Sequence, residues 1–192
     1  ALLARADRLG EARLRLFHPL KFMLASPAAD PGGDVAAALR EQMPATCYVE
    51  DKYDGIRAQV HLERPAPADA ALHGQVAAGA RVAIFSRTLD ELTGSYPDLL
   101  PALARLLPEG RPGSLILDGE LLPVELATGR VLPFQVLQTR LQRKRLDPEL
   151  LAAVPVMLLV YDLLYQDGEE LFETPLADRR ARLDALPGLV AA

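Results

Sequence analysis

The sequence contains little of what marks a secreted or membrane-embedded protein. It has one cysteine, Cys47, among 192 residues, which excludes an internal disulfide framework. It has no secretory signal and no apolar run of about 18 residues, the length a membrane-spanning helix needs, and this points to the cytoplasm. The hydrophobic fraction of 50% is that of a globular domain able to bury one core.

Positive charge is also scarce. The formal net charge of -5 argues against strong non-specific binding of nucleic acid by this chain alone, because phosphate binding relies on an excess of Lys and Arg. Basic residues cluster in one run, Arg140, Arg143, Lys144 and Arg145. A solvated helix face is the simpler interpretation of that run.

Lysine and histidine are both rare. The lysines are Lys21, Lys52 and Lys144. Covalent chemistry that needs an amine therefore has few candidates. The histidines are His18, His61 and His73, and their spacing is not that of metal ligands.

Alternating β-branched and aromatic residues predict two strands around Lys52, over residues 46–50 and 56–62. Lys52 would then lie just past the end of a strand in which Cys47 is buried. Residues 63–80 lack periodicity and predict a surface loop, followed by a strand over 81–86.

The rest of the chain mixes helices and strands. Helices are predicted over residues 1–17, 34–42 with Asp34 as N-cap, 97–107, 134–145 and 176–186, with a short one after Asp147. Strands are predicted over residues 115–117 and 121–126, separated by a turn at Asp118-Gly119-Glu120, and over 156–165, followed by a hairpin at 166–168. Asp162 lies in that last apolar strand and must be paired. These elements predict an α+β fold built mainly on antiparallel strands.

Residues 50–57, Glu-Asp-Lys-Tyr-Asp-Gly-Ile-Arg, combine an amine, carboxylates and a guanidinium. A lysine attacks phosphorus only when deprotonated, so a nucleophilic Lys52 needs surroundings that disfavour its charged form. Gly55 would allow a backbone conformation that other residues resist and the close approach of a ligand. The alternative interpretation is an exposed charged hairpin.

The pattern Lys-x-Asp-Gly-x-Arg, met by Lys52, Asp54, Gly55 and Arg57, resembles the signature of the covalent nucleotidyltransferases. These are the ATP-dependent DNA ligases, the RNA ligases and the mRNA capping enzymes. The later family motifs follow in order at residues 85–87, 117–121 and 159–163. Residues 19–25, 93–97 and 133–140 resemble the DNA ligase branch specifically.

The resemblance covers residues 18 to 187 and implies the antiparallel-sheet, ATP-grasp-like nucleotidyltransferase fold of DNA ligases and mRNA capping enzymes. It implies a reaction with ATP and Mg²⁺ in which Lys52 becomes linked to AMP. The AMP then moves to a 5′-phosphate at a nick in double-stranded DNA, and the 3′-hydroxyl displaces it. The intact protein would act in DNA repair, replication or recombination. An RNA ligase, a capping enzyme or an inactive nucleic-acid-binding scaffold remain as alternatives.

The resemblance also implies roles around Lys52. Glu50 would hold the edge of adenine, and Tyr161 would stack on the base. Glu120 would bind the ribose hydroxyl or, with Asp54, place a metal ion. The arginines that would touch ribose, phosphate or the DNA end are Arg57 and Arg87.

Without the resemblance, three of these residues have simpler explanations. Tyr161 lies in an apolar strand and would be a core residue. Glu120 follows Asp118-Gly119, a common turn pair, and would be a turn carboxylate. Arg87 would be an ordinary surface side chain.

The expected domain organisation is that of part of a longer ligase. Residues 1–17 would end an N-terminal DNA-binding domain, 18–33 would be a linker, and 34–192 would be the N-terminal portion of an adenylation domain. No Lys-x-Lys pair follows Leu186, so we expect the rest of the site and an oligonucleotide-binding-fold domain further along a monomeric full-length chain. Residues 1–192 alone would be weak or inactive.

Overall fold

Antiparallel strands dominate the computed structural model, which describes residues 13–27, 32–44, 47–66, 73–141, 143 and 146–189. The strands are β1 (Ile56–Arg64), β2 (Gln75–Ala77), β3 (Ala80–Ser86), β4 (Gly113–Glu125), β5 (Arg130–Val131), β6 (Val156–Gln166) and β7 (Glu169–Glu170). The helices are α1 (Val35–Gln42), α2 (Leu100–Ala104), α3 (Phe134–Leu141), α4 (Pro148–Ala153) and α5 (Leu176–Asp184). The α+β prediction is confirmed.

The sheet has the order β2-β3-β1-β4-β6-β7, and β5 pairs with β4 outside that path. All pairings are antiparallel. The side chains of β1 alternate between the two faces of the sheet, and on one face Ala58, Val60 and Leu62 are fully buried in the main core. Helix α2 covers that face with Leu100 and Leu103.

The predicted turn at Asp118-Gly119-Glu120 is wrong. Strand β4 runs without a break from Gly113 to Glu125 and pairs with β1 on one side and β6 on the other. Strand β6 passes so close to Gly119 that a Cβ at this position would be 2.5 Å from the Leu159 carbonyl oxygen. Only glycine fits here without a shift of the backbone. The glycine of the Asp118-Gly119 pair therefore allows two strands to approach closely and does not form a turn.

The predicted strand before Lys52 is also wrong. Residues 47–54 have no regular structure, and Cys47 is exposed rather than buried. Val49 is 93% exposed. The alternating pattern finds no neighbouring strand here, and strand propensity without a pairing partner does not make a strand. Thr46 lies outside the described residues.

Three other predicted boundaries need correction. The predicted loop over 63–80 contains β2, which pairs with β3 to form a hairpin. The helix predicted over 97–107 is shorter than expected and comprises only α2, although Leu103, Leu106 and Leu107 are buried as expected. The helix predicted over 134–145 ends at Leu141.

Elements with local signals are confirmed. Asp34 caps α1 by accepting from the amides of Ala36 and Ala37, and Asp147 caps α4 by accepting from Leu150 N at 2.7 Å. The hairpin between β6 and β7 turns at Asp167 and Gly168, and both have positive φ. Residues 1–12 of the helix predicted over 1–17, and also Lys144 and Arg145, lie outside the described residues, and residues 13–17 are not helical.

The solvated face predicted for the basic run is wrong for Arg140. Its side chain is fully buried and donates both to the Asp98 carboxylate and to the Ser95 and Val154 carbonyl oxygens. The guanidinium also lies 5.0 Å from the ring centroid of Tyr96. Arg140 therefore holds α3 against the loop before α2 and takes no part in a surface patch.

The face of β1 opposite the core is polar and binds the first described segment. Gln59 accepts from Leu20 N at 2.9 Å, and the buried His61 Nδ1 accepts from Phe17 N at 2.8 Å. Because Nδ1 accepts, Nε2 carries the proton and donates to Gln59 Oε1 at 2.8 Å. These bonds fix the segment that leads to the site.

His61 makes stability depend on pH. Burial lowers its pKa from 6.5 to about 3. The unfolded chain therefore takes up the proton first as the pH falls. The stability from neutral His61 is complete above pH 6.5 and decreases as the pH drops towards 3.

We expect wild type to lose about 2 kcal/mol more unfolding free energy than a His61→Gln variant between pH 7 and pH 5. Urea unfolding of both proteins at each pH measures this. Both proteins contain the same carboxylates, so the effect of these groups on the unfolding free energy cancels in the comparison. Equal losses in the two proteins would contradict the assigned state of His61.

No helix in the described part of the chain is long and apolar enough to cross a membrane.

Candidate active site

All the residues to which the resemblance gives a role line one cleft of about 1140 Å³. They come from distant parts of the sequence and are Glu50, Lys52, Asp54, Arg57, Arg87, Glu120 and Tyr161. Leu24, Ala25 and Arg180 also line it. The fold thus brings together what the sequence separates by more than a hundred residues.

Lys52 lies in the irregular segment 47–54 and is exposed at the cleft. Its amine makes no hydrogen bond or ion pair with any described residue. Its charge acts on Glu120, whose pKa it helps to lower against the larger raising effect of burial. An exposed, unbonded amine is free to reach a ligand in the cleft.

Gly55 is needed for a reason other than the one predicted. It does not have a positive φ, but a Cβ at this position would lie 2.3 Å from the Leu121 carbonyl oxygen. Its amide donates to Glu120 Oε1 at 3.1 Å. The glycine therefore lets the Lys52 segment pass against β4 and bonds it to the carboxylate predicted to bind ribose.

Arg57 is paired with Asp118 on the neighbouring strand. Nε and Nη2 donate to the two carboxylate oxygens at 3.1 and 2.5 Å, and Nη1 donates to the Met23 carbonyl oxygen at 3.0 Å. The bond to Asp118 raises the pKa of Arg57, whereas burial raises the pKa of Asp118 and the arginine opposes that rise. Both carboxylate oxygens accept, so we take the pair as charged.

Tyr161 points into the cleft because β6 is irregular at that position. Asp162 pairs with Asp118 and Val160 with Gly119, so Tyr161 has no partner on β4. Such a bulge redirects a side chain. The Arg57 guanidinium lies 5.4 Å from the Tyr161 ring centroid and 4.9 Å from that of Phe22. Burial and the Asp118 charge raise the pKa of Tyr161.

Arg87 is exposed on the turn after β3 and makes no hydrogen bond or ion pair within the described ranges. Its turn is well defined. Ser86 Oγ accepts from the amides of Thr88 and Asp90 at 3.2 and 3.1 Å. The turn therefore holds an unpaired guanidinium at the rim of the cleft.

Two residues that bind side chains of the cleft escaped prediction from the sequence. Asp118 is part of a recognised motif, but it was assigned to a turn, whereas it anchors Arg57. Arg180, on α5, forms an ion pair with Glu50. No sequence signal distinguishes Arg180 from its neighbours, because the pair joins residues 130 positions apart only through the fold.

Asp162 is paired as predicted, and its role is structural. Arg179 Nε and Nη2 donate to its two oxygens at 2.7 and 2.9 Å. Arg179 also donates to the Thr174 carbonyl oxygen at 2.5 Å. Helix α5 is thus fixed to β6 beside Tyr161.

The carboxylates of the cleft suit a divalent cation held mainly by a substrate. Asp54 and Glu120 supply the oxygen ligands that Mg²⁺ prefers. Among the described residues, no three His, Cys, Asp or Glu side chains lie close enough together to form a metal site of their own. Mg²⁺ commonly needs no such cage, since it keeps water molecules and binds substrate phosphates.

Comparison with known proteins identifies the family. The family model described as the ATP dependent DNA ligase domain matches residues 22–187. The chain therefore belongs to the ATP-dependent DNA ligase family, in agreement with the predicted DNA ligase branch.

Two relatives in sequence agree with this assignment. A probable DNA ligase of Koribacter versatilis is 41% identical over 96% of this chain and 27% of its own length. A DNA ligase of Thermococcus onnurineus is 36% identical over 94% of this chain and 28% of its own. The ligase domain of M. tuberculosis LigD aligns over 70% of this chain and 35% of its own, with 30% identity and a TM-score of 0.47. The chain spans about a quarter of the length of the two sequence relatives.

Gly55→Ala tests the close approach of the Lys52 segment to β4. We expect it to lower the unfolding free energy by about 2 kcal/mol, because the new methyl group must displace backbone. Gly94→Ala is the matched control, since its Cβ would meet nothing nearer than 3.8 Å. Urea unfolding measures both, and equal stabilities of the two variants would rule out the close contact.

Proposed function

We propose that this chain forms the nucleotide-binding part of a protein that seals nicks in double-stranded DNA with ATP. The observation that supports this best is the convergence of the seven family site residues on one cleft. The family match over residues 22–187 supports it as well. The intact protein would serve DNA repair, replication or recombination.

In the first step, the neutral Lys52 amine attacks the α-phosphorus of ATP. A bond forms between Nζ and phosphorus, the bond to pyrophosphate breaks, and the amine loses a proton to solvent. Negative charge on the phosphate oxygens must be balanced during transfer. Exposure of Lys52 at the cleft and the unpaired guanidinium of Arg87 at its rim are consistent with these roles.

The base and the ribose would be bound on either side of Lys52. Glu50 would accept from adenine, and Tyr161 would stack on it. Glu120 would accept from a ribose hydroxyl with the oxygen that Gly55 does not use. Arg57, held by Asp118, would present its remaining surface to ribose, phosphate or the DNA end.

In the alternative role of Glu120, this carboxylate would hold Mg²⁺ together with Asp54 and the phosphates of ATP. When bound, Mg²⁺ supplies positive charge that stabilises the transferring phosphate. Both carboxylates line the cleft, and Glu120 is fixed by Gly55.

The remaining steps require DNA. AMP would move from Lys52 to the 5′-phosphate at a nick, and the 3′-hydroxyl would then displace it. We assign residues 1–17 to the end of a DNA-binding domain, 18–33 to a linker and 34–192 to the adenylation domain. An oligonucleotide-binding-fold domain would complete the monomeric ligase, which we place in the cytoplasm.

Lys52→Ala tests the covalent step. With α-labelled ATP and Mg²⁺, we expect acid-labile label on denatured wild-type intact protein and none on Lys52→Ala, because the nucleophile is gone. Lys21→Ala, which removes a lysine that does not line the cleft, should keep the label. Label that persists on Lys52→Ala would show that another residue is the nucleophile. A folded, AMP-free wild type that takes no label would favour an inactive scaffold.

A further inference from the structure

Glu50, the residue proposed to contact adenine, is already paired within the protein. Arg180 Nη2 contacts Glu50 Oε1, and both side chains line the cleft. Oε2 makes no hydrogen bond within the described part of the chain. The Arg180 side chain is 24% exposed and that of Glu50 is 51% exposed, so Glu50 is the more exposed partner of the pair.

The helix that carries Arg180 is anchored to the sheet and to the core. The preceding residue, Arg179, donates through Nε and Nη2 to the carboxylate of Asp162 on β6. Leu183, one helical turn further along α5, is buried in the main core. Glu50, in contrast, lies in the irregular segment 47–54, which has no strand partner. The ion pair therefore ties a segment without regular structure to an anchored helix.

We propose that Arg180 is a positioning residue that makes the cleft prefer adenine over guanine. This proposal rests on the proposed function, in which Glu50 contacts the base. Arg180 engages one oxygen of Glu50 and leaves the other as a single acceptor. The 6-amino group of adenine presents one donor to such an acceptor, beside the N1 acceptor.

Guanine differs because it presents N1–H and the 2-amino group side by side. An unpaired carboxylate can accept from both with its two oxygens, as carboxylates do from a forked pair of donors. Arg180 removes that option by occupying Oε1 and by balancing the charge of Glu50. Loss of Arg180 would leave a free anion that suits guanine and repels the phosphates of ATP.

The experiment measures labelling of Lys52 by ATP and by GTP in the intact protein. For Arg180→Ala we expect the KM for ATP to rise about tenfold, with little change in kcat, and the ratio of kcat/KM for ATP over GTP to fall about tenfold. Arg182→Ala is the matched control. It removes an arginine from the same helix that pairs with Glu169 and does not line the cleft. It should leave both quantities unchanged.

A second comparison separates positioning from general damage. In a Glu50→Ala background, Arg180→Ala should have no further effect on the nucleotide ratio, because it acts through Glu50. If Arg180→Ala does not fold, Arg180→Met, which keeps much of the length of the side chain but removes its charge and its donors, replaces it in both backgrounds, with an expected loss of the ratio in the same direction.

The outcomes distinguish this proposal from the proposed function. Wild type that is labelled by ATP, with an Arg180→Ala variant that keeps both KM and the nucleotide ratio, would overturn the role of Arg180 alone. An equal effect of Arg180→Ala with and without Glu50 would also overturn it. Wild type that takes no label at all would overturn the proposed function and, with it, this inference.

Discussion

The ion pair between Arg57 and Asp118 is the contact on which the cleft depends. It joins the central strands β1 and β4, and the same guanidinium donates to the Met23 carbonyl oxygen. The rings of Phe22 and Tyr161 lie against it. The Asp118 side chain is only 7% exposed, so loss of Arg57 would leave a nearly buried charge without its partner. One arginine thus connects the first segment, two strands of the sheet and the bulge of β6.

This arrangement is possible because β1 separates two kinds of environment. Its residues Arg57, Gln59 and His61 are polar, whereas Ala58, Val60 and Leu62, which alternate with them, are apolar and buried in the core. A strand with one polar face needs partners for that face when it is covered. Here the backbone of the segment around Phe17 and Leu20 supplies them. The same covering segment extends to Leu24 and Ala25 at the cleft, so its docking and the shape of the site are linked.

The sequence predicts local features of this protein well and non-local ones poorly. Asp34 and Asp147 cap helices through contacts within three residues, and both were predicted. The Asp118-Gly119-Glu120 motif was wrongly assigned to a turn because its strand character comes from pairing with β1 and β6. The site residues were predicted through the resemblance, since residue patterns alone favoured core or surface roles for Tyr161 and Arg87. Their shared cleft depends on a bulge and a turn that no local signal specifies.

The charges of the cleft divide into two groups. Arg57 and Arg180 are each bound to a carboxylate of the protein, Asp118 and Glu50. Lys52 and Arg87 make no ion pair with any described residue. An arginine already bound to a carboxylate can shape a site, but much of its attraction for an added anion is neutralised. The unpaired cations are therefore those able to attract the phosphates of a nucleotide. In the proposed function, Arg180 would orient Glu50 towards the base, Asp118 would hold Arg57 near the ribose, and Lys52 would attack the α-phosphorus.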